Sequence, residues 1–359
     1  MKTIDIEKLN RENFKSIMNA LSMPGNIEKI KPLFESNLLG IANCLLYSEL
    51  SYFYKGTVEF DLIDAITNAK RTDECEADYI FCDEVQDIPA HVLTAMKNRS
   101  KHVIVAGDSN QSIYSNTVNP SEIGTIISAR AFILNRVYRL TRSIMTAVSK
   151  MMPSLDIFGA RRYMTKVDVQ IRLKKCKDLQ DEVKYTYETA LENAAEGDTS
   201  VILLPFHDDI IYYIKTLCEQ HGLTDFVIPI NKYGKPDYNT VNLFLSDNNI
   251  KLEYVGNNYG SFQNAEKNRK VIMMTYHSSK GMDFRHVFLP FMNSGTRISA
   301  NPEISDETLF MVALTRSNRN LYITYSGNLH PLVDKFKDIC REISDNTFTQ
   351  NNIGGIIEW

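Results

Sequence analysis

Residues 79–87 read YIFCDEVQD, in which four largely apolar residues are followed directly by the adjacent acids Asp83 and Glu84. In a parallel sheet, a strand that ends this way carries its acids to the carboxyl edge, where ligands bind. One carboxylate there can hold Mg²⁺, which prefers oxygen ligands and keeps several waters. A second can orient or deprotonate an attacking water. Taken alone, the stretch also fits an acidic turn after a strand. The choice between a ligand site and a plain turn depends on the rest of the sequence.

The same arrangement recurs along the chain, where short apolar runs alternate with helical stretches. The runs are residues 79–82, 102–106, 200–204, 271–274 and 320–324. Continuous apolar strands separated by helices are typical of parallel sheets that are buried on both faces. The sequence therefore predicts an α/β fold.

The composition is that of an ordinary globular protein: 359 residues, 43% of them hydrophobic and 23% charged. This length is enough for a sizeable core and suggests two domains or one large one. The formal net charge of -4 provides no overall basic field. A local basic groove for nucleic acid can nevertheless exist on an acidic protein, so the charge excludes little.

Cysteine usage and the N-terminal residues bear on location. The six cysteines are scattered and none forms a C-x-x-C pair, which favours reduced thiols over a zinc site or a disulfide framework. The first residues include acids and lack the apolar segment of a signal peptide. No run approaches the ~18 apolar residues of a membrane span. We therefore expect a cytoplasmic protein with no membrane partner.

Polar residues also follow the second apolar run. Residues 107–114 read GDSNQSIY, and the amide of Gln111 at a strand end can sense a terminal phosphate. Further on, Tyr138 and Arg139 place a planar ring beside a guanidinium, which suits base stacking and phosphate binding. Either feature alone also fits an ordinary turn or chance.

Two more segments carry candidate ligands for phosphates. Residues 275–284 read TYHSSKGMDF, in which hydroxyls, His277 and Lys280 can donate to phosphates and Asp283 can accept from a ribose hydroxyl. Residues 312–316, VALTR, end a helical stretch before the last apolar run. Arg316 at that position suits an arginine finger, which one domain presents to a phosphate on another.

Taken in order, these five segments resemble motifs II to VI of the UvrD-like superfamily 1 DNA helicases, over residues 56–327. The chain is thus similar to the C-terminal portion of such a helicase. The resemblance implies two RecA-like parallel-sheet domains of the P-loop NTPase fold, of which the first is incomplete. It also implies ATP and Mg²⁺ in the cleft between them, single-stranded or partly duplex DNA across the top, and work such as DNA repair.

The resemblance implies roles around the nucleotide. Asp83 resembles the magnesium-binding acid and Glu84 the catalytic base. Gln111 resembles the residue that couples the state of the γ-phosphate to DNA contact. Arg139 and Arg316 resemble the two arginines that contact the γ-phosphate.

The remaining positions concern the base, the ribose and the DNA. Tyr138 resembles the ring that packs on adenine, and Asp283 resembles the acid near the ribose. Gly281 is expected to be a further nucleotide-binding position. The residues that the resemblance places at the DNA are Tyr114, Thr275, His277 and Ser278.

One family element does not occur in the sequence, which contains no G-x-x-x-x-G-K-[ST] phosphate-binding loop. The backbone nest and lysine that hold the β- and γ-phosphates are then not supplied by these residues. We expect hydrolysis by this chain alone to be severely impaired. Three alternatives stay open: a fragment or split gene product whose partner chain supplies the loop, a degenerate motor without ATPase activity, and an altered site that still hydrolyses ATP.

The organisation of the chain follows from the same motifs. We expect a helical N-terminal segment at 1–70, a partial first domain with motifs II to IV at 71–148, and a second domain with motifs V and VI at 149–359. The polar, asparagine-rich stretch at 231–269 predicts a short, loop-rich insertion. Without a P-loop strand beside it, the run at 102–106 is expected to form an apolar edge.

Two functions compete. The first is an ATP-dependent DNA helicase or translocase that is complete only with a P-loop segment from elsewhere. The second is a catalytically inactive helicase-like module that binds DNA or protein.

Overall fold

A computed structural model describes residues 77–98, 100–114, 117–132, 136–137, 140–155, 161–162, 167–231 and 234–344. The chain divides into two compact units between Phe132 and Ile133, and each unit is described by itself. This division lies earlier in the chain than the predicted boundary near residue 148. The predicted helical segment at 1–70 lies outside the described residues, so the domain limits stay predictions.

The first unit contains a β–α–β element built on two of the predicted strands. Its elements are β1 (Ala77–Cys82), α1 (Ala90–Asn98), β2 (Ser100–Val105) and α2 (Pro120–Ile127). Strands β1 and β2 pair in parallel, with Phe81 opposite Ile104. The strands predicted at 79–82 and 102–106 are confirmed, with small shifts at their ends.

One face of this strand pair packs against the helices and the other is exposed. Alternate residues of a strand point to opposite faces, so Ile80 and Val103 pack on the core around Leu93. On the other face, Phe81 is 73% exposed and Tyr79 is 55% exposed. Within the described residues this sheet has two strands, and its outer face keeps the apolar surface that parallel sheets normally cover.

The second unit is built around a sheet of seven parallel strands. A short parallel pair comes first, β3 (Arg136–Val137) and β4 (Arg161–Arg162). The strands of the large sheet are β5 (Gln170–Lys175), β6 (Ser200–Leu204), β7 (Leu252–Tyr254), β8 (Val271–Thr275), β9 (Phe284–Leu289), β10 (Ser317–Tyr325) and β11 (Arg341–Glu342). Their order across the sheet is β11-β5-β10-β9-β6-β8-β7.

Seven α-helices accompany this sheet in the part of the unit that the structure describes. They are α3 (Arg142–Met151), α4 (Leu179–Ala195), α5 (His207–Gln220), α6 (Tyr238–Asp247), α7 (Phe262–Lys267), α8 (Asp306–Leu314) and α9 (Pro331–Asp334). Among the described residues, no helix has both the length and the apolarity that crossing a bilayer requires.

The central strands carry the core of the second unit. Strands β6 and β8 are buried at every position, as a sheet covered on both faces requires. Their side chains, such as those of Ile202 and Met273, join a cluster that includes Ile214 of α5 and Val241 of α6. The strands predicted at 200–204, 271–274 and 320–324 are confirmed. The predicted α/β class with parallel sheets is therefore confirmed as well.

Residues 231–269, for which the sequence predicts a loop-rich insertion, instead contain α6, β7 and α7. Strand β7 is the edge of the sheet, and an asparagine protects it. Asn242 Oδ1 accepts from the Tyr254 N–H at 2.8 Å, and Asn242 Nδ2 donates to the Tyr254 carbonyl at 2.9 Å. The side-chain amide thus occupies the outward backbone groups of Tyr254, which protects an otherwise open edge. Asparagine here supports a strand, although composition alone associates it with turns.

A buried carboxylate joins α4 to the carboxyl ends of β9 and β10. Glu182 is fully buried and accepts from the Phe291 N–H at 2.7 Å and from Thr324 Oγ1 at 2.6 Å. Asn293 Nδ2 lies 3.4 Å from its other oxygen. Burial raises the pKa of Glu182, and the hydrogen bonds from Thr324 and Phe291 oppose that rise. Glu182 therefore fixes the loop after β9, where Phe291 has a φ of 64°.

Candidate nucleotide and nucleic-acid sites

The two acids of the first unit directly follow β1. Asp83 Oδ1 accepts from the Glu84 N–H at 2.9 Å. Glu84 has a φ of 54° and a ψ of 42°, in the left-handed region. This conformation costs a residue other than glycine about 1–3 kcal/mol. The strand therefore ends in a strained turn, with the Asp83 side chain exposed.

Gln86 links this turn to the end of β2. Its side chain is buried. Its Nε2 donates to Glu84 Oε2 in a short hydrogen bond, and its Oε1 accepts from the Asp108 N–H at 3.0 Å. A backbone hydrogen bond of 2.9 Å from Val85 N to the Ala106 carbonyl joins the same two strand ends. One amide thus holds the Glu84 carboxylate in a fixed orientation, a role that sequence reasoning missed although Gln86 lies within the quoted stretch.

Gln111 belongs to the same group. It ends a short 3-10 helix that begins at Ser109, and its Nε2 donates to Asp108 Oδ2 at 3.1 Å. Asp108 is also the residue whose backbone N–H Gln86 binds. The structure therefore brings the predicted acids and the predicted amide into one hydrogen-bonded group at the carboxyl edge of the first unit.

Tyr114 lies close to this group. Its side chain is 43% exposed, and partial burial, followed by the charges of Asp87 and Glu84, raises the pKa of Tyr114 to about 12. Its hydroxyl is therefore protonated at neutral pH and able to donate. The ring predicted to contact DNA is thus near enough to Glu84, the predicted catalytic base, to feel its charge.

The chemistry of this edge fits Mg²⁺ held by a single protein ligand. Among the described residues, no group of three or more His, Cys, Asp or Glu side chains is placed to hold a metal ion. Mg²⁺ does not need such a group, because it keeps several waters and shares phosphate oxygens. The exposed carboxylate of Asp83 offers the hard oxygen that this ion prefers.

The close approach of Gln86 to the end of β2 requires glycine at position 107. A Cβ there would lie 2.2 Å from Gln86 Oε1 and 3.0 Å from Val85 Cγ1. We expect Gly107→Ala to displace the Gln86 amide, to release the Asp108 N–H, and to destabilise the first unit by about 1–3 kcal/mol, as overpacking does. Hydrogen exchange should show faster exchange at the Asp108 amide.

Gly124→Ala is the matched control in the same unit. A Cβ at Gly124 in α2 would lie 3.4 Å from the Ala129 carbonyl, an ordinary contact. Alanine favours a helix interior over glycine, so this variant should keep the protection of Asp108 and lose no stability. If Asp108 keeps its protection in Gly107→Ala, the glycine is not needed for the Gln86 contact.

The carboxyl end of β8 carries the second group of predicted residues. Thr275 Oγ1 donates to Ser278 Oγ at 2.9 Å and accepts from the Ser278 N–H at 3.1 Å. His277 begins a short 3-10 helix. Burial, and then the neighbouring His207, lower the pKa of His277. Its ring is therefore neutral at pH 7 and donates through one nitrogen.

Neighbouring strand ends add polar groups that sequence reasoning missed. His207 follows β6; its Nδ1 lies 2.8 Å from the Tyr238 hydroxyl, and its Nε2 lies 3.4 Å from Asn257 Nδ2. A Cβ on Gly256 would lie 3.0 Å from Ser278 Oγ, so the turn after β7 packs closely on the end of β8. Strands β6, β8 and β7 are neighbours, and their ends form one polar edge. His207 follows an apolar run and was detectable by that signal, whereas Asn257 had none.

Gly281 and Asp283 lie between β8 and β9. Gly281 has a φ of 78°, which glycine adopts without steric cost. Asp283 is exposed and directly precedes β9. The backbone at Gly281 thus allows the chain to turn before it presents the acid predicted to lie near the ribose.

Arg316 is fully buried and not presented at the surface. Its Nε donates to the Val312 carbonyl at 2.8 Å, its Nη1 to the Met282 carbonyl at 3.1 Å, and its Nη2 to Thr315 Oγ1 at 2.9 Å. These bonds tie the end of α8 to the residue before Asp283. An arginine finger must reach a phosphate, so contact between Arg316 and a nucleotide requires its side chain to turn outward. The other predicted arginine, Arg139, and its neighbour Tyr138 lie outside the described residues.

Comparison with known protein families identifies the family. The family model of the viral superfamily 1 RNA helicase core domain matches residues 30–227, more than half of the chain. The chain belongs to the superfamily 1 helicases. A second family model, the UvrD-like helicase C-terminal domain, matches residues 246–328 of this helicase. The resemblance to the C-terminal portion of a superfamily 1 helicase is therefore confirmed.

More distant likenesses to this chain occur among solved structures. One is the C-terminal domain of a possible DNA helicase from Lactobacillus plantarum WCFS1, with 14% identity over 57% of this chain and 98% of that chain, at a TM-score of 0.36. Another is the PRRSV helicase, with 13% identity over 70% of this chain and 35% of that chain, at a TM-score of 0.35. A third is arterivirus nonstructural protein 10 (helicase), with 14% identity over 72% of this chain and 40% of that chain, at a TM-score of 0.32.

The chain spans less than half the length of the two viral helicases that it resembles. A search of curated protein sequences gave no match.

Proposed function

We propose that this chain is part of an ATP-dependent DNA helicase or translocase and that another polypeptide supplies its phosphate-binding loop. The observation that carries the proposal is the amide of Gln86, which binds both the Glu84 carboxylate and the Asp108 N–H. This bridge orients an acid on a strained backbone at the strand edge where ligands bind in α/β folds. Strain of this kind concentrates at functional sites, where it is part of the mechanism.

In this proposal the first unit supplies the acids of ATP hydrolysis. Asp83 would hold a Mg²⁺ ion, which would supply the positive charge that offsets the charge of the transferred phosphoryl group. Glu84 orients and deprotonates the attacking water, and Gln86 keeps its carboxylate aimed. Gln111, bonded to Asp108, links the state of the terminal phosphate to the group around Tyr114.

The second unit supplies residues for the nucleotide and for the DNA. Gly281 and Asp283 accommodate the ribose, and Tyr138 packs on the base. Arg139 and, once its side chain turns outward, Arg316 stabilise charge on the γ-phosphate. The His277 imidazole and the Ser278 hydroxyl, at the end of β8, donate to phosphates of the DNA backbone. Such contacts position the DNA without reading its sequence. Thr275 donates to Ser278 Oγ and so orients that hydroxyl beside the DNA.

A catalytically inactive, nucleic-acid-binding module is the second candidate. The full burial of Arg316 favours it, because that guanidinium donates to two backbone carbonyls and a hydroxyl of its own unit. The absence of a G-x-x-x-x-G-K-[ST] loop from the sequence favours it too. Such a module would bind DNA with an affinity that depends neither on ATP nor on Arg316.

Binding of single-stranded DNA by the chain tests the part that both candidates share. We expect fluorescence anisotropy to show an affinity whose logarithm falls linearly with the logarithm of salt concentration. The double variant His277→Ala/Ser278→Ala should bind about tenfold more weakly, since it loses two backbone contacts. His221→Ala is the control. His221 directly follows the C-terminal end of α5, away from the end of β8, so this variant should bind as the wild type does.

A flat salt response, or equal affinity of the double variant, would contradict nucleic-acid binding at the end of β8. A parallel titration with RNA decides which nucleic acid is preferred. DNA-stimulated ATP hydrolysis on addition of a neighbouring gene product that carries the G-x-x-x-x-G-K-[ST] loop separates the motor from the inactive module.

A further inference from the structure

A groove of about 870 Å³ runs along the outer edge of β7 in the second unit. It extends from Asn258 and Gly260, in the turn after β7, to Lys251 and Lys270, near the beginnings of β7 and β8. The turn at its first end packs on Ser278 through Gly256. This end of the groove is therefore next to the polar edge that we propose binds nucleic acid.

Amide side chains line much of the groove. Within the described part of the chain, no hydrogen bond engages the side-chain amides of Asn239, Asn249 and Asn258, and all three residues are exposed. A primary amide both donates and accepts. Asparagine can therefore form paired hydrogen bonds with the edge of a nucleic-acid base, adenine above all.

The charge of the groove suits a polyanion. Glu253 is its one acid among the lining residues, and it is buried. Its carboxylate accepts from the Ser261 N–H at 2.9 Å, from Asn264 Nδ2 at 2.6 Å and from Lys270 Nζ at 3.2 Å. Lys270 neutralises this acid, and the exposed Lys251 adds a positive charge. The lining residues therefore carry one uncompensated positive charge, that of Lys251, on a chain whose formal net charge is -4.

The same walls do not suit a peptide. A peptide strand would have to pair with the outer edge of β7, but Asn242 already occupies the backbone N–H and carbonyl of Tyr254. A protein partner would also need apolar anchors in a buried centre. The exposed apolar side chain of the lining is Leu243, at 65% exposure, and a single such group is enough to pack against a base.

We infer that this groove binds single-stranded nucleic acid, which leaves the carboxyl edge at Ser278 and continues along the outer side of β7. The inference rests on the proposed function, because the nucleic acid that contacts the end of β8 is the one that continues into the groove. The amides contact base edges, and Lys251 contacts a phosphate.

The test compares a short and a long oligonucleotide, of about 8 and about 30 nucleotides, on wild type and on Asn239→Ala/Asn249→Gly/Asn258→Gly. Glycine is chosen at the last two positions because Asn249 and Asn258 have φ values of 58° and 67°. Loss of these amides should weaken binding of the long oligonucleotide about tenfold or more and leave the short one nearly unchanged. Lys251→Ala should lower the slope of log affinity against log salt by about one.

Asn328→Ala is the matched control, because Asn328 is exposed on the same unit and does not line the groove. Circular dichroism must show that every variant remains folded. Equal binding of the long oligonucleotide by the triple variant and the wild type overturns the inference, while weaker binding by His277→Ala/Ser278→Ala would still support the proposed function. If the wild type binds neither oligonucleotide, both fail.

Discussion

Glu84→Gln, in the complex with the polypeptide that supplies the P-loop, is expected to lower kcat for DNA-stimulated ATP hydrolysis by about 10²–10⁴-fold, the usual contribution of a general base. An amide cannot take the proton of the attacking water. It keeps the shape of the side chain and an oxygen that accepts from Gln86 Nε2, as Glu84 does. Affinities for ATP and DNA should therefore change little. Steady-state hydrolysis with and without DNA, together with anisotropy, measures both effects.

Glu122→Gln makes the same chemical change elsewhere in the first unit. Glu122 is exposed in the first turn of α2, so hydrolysis should stay at the wild-type rate. Equal hydrolysis by Glu84→Gln and wild type would mean that Glu84 is not the base, and the bridge from Gln86 would then need another explanation.

Glu182→Ala is expected to lower the free energy of unfolding of the second unit by about 3–5 kcal/mol. Each buried donor left without an acceptor costs about 1–3 kcal/mol, and Glu182 binds two of them, the Phe291 N–H and Thr324 Oγ1. The cavity left by the side chain adds to the loss. Urea unfolding followed by circular dichroism measures the change.

Glu188→Ala is the control on the same helix, because Glu188 is exposed; its effect should stay within about 0.5 kcal/mol. The pH dependence gives a second readout. Burial raises the pKa of Glu182, so the folded state binds this proton more readily than the unfolded state does. The stabilisation linked to the proton is present below the ordinary glutamate range and is lost as pH rises through the raised pKa. Glu182→Ala should lack that slope, and a loss of less than about 1 kcal/mol would show that the site relaxes around the missing acid.

The predictable features are those that a local pattern determines. A run such as 200–204 is apolar at nearly every position because both faces of its strand are buried, so its period alone identifies it. Asp83 and Glu84 were placed correctly at a strand end because two carboxylates after an apolar run rarely fit a core. The family followed from the order of five motif segments along the chain, and no single segment would have identified it.

The remaining features depend on contacts between distant parts of the chain. Gln86 meets Asp108 because β1 and β2 are paired, and no spacing within either motif indicates it. The burial of Arg316 depends on the Met282 carbonyl, which belongs to another segment. In residues 231–269, composition suggested loops, whereas the amide of Asn242 supports an edge strand. Tertiary hydrogen bonds decided each of these cases.

The backbone at Glu84 has a further consequence for protein engineering. Its φ of 54° is one that glycine adopts freely, so folding stability alone would favour glycine at this position. A library selected only for heat resistance should therefore discard the carboxylate, and a library selected for turnover should keep it. The two selections would diverge at residue 84, where the residue that favours folding stability differs from the residue that the proposed hydrolysis requires.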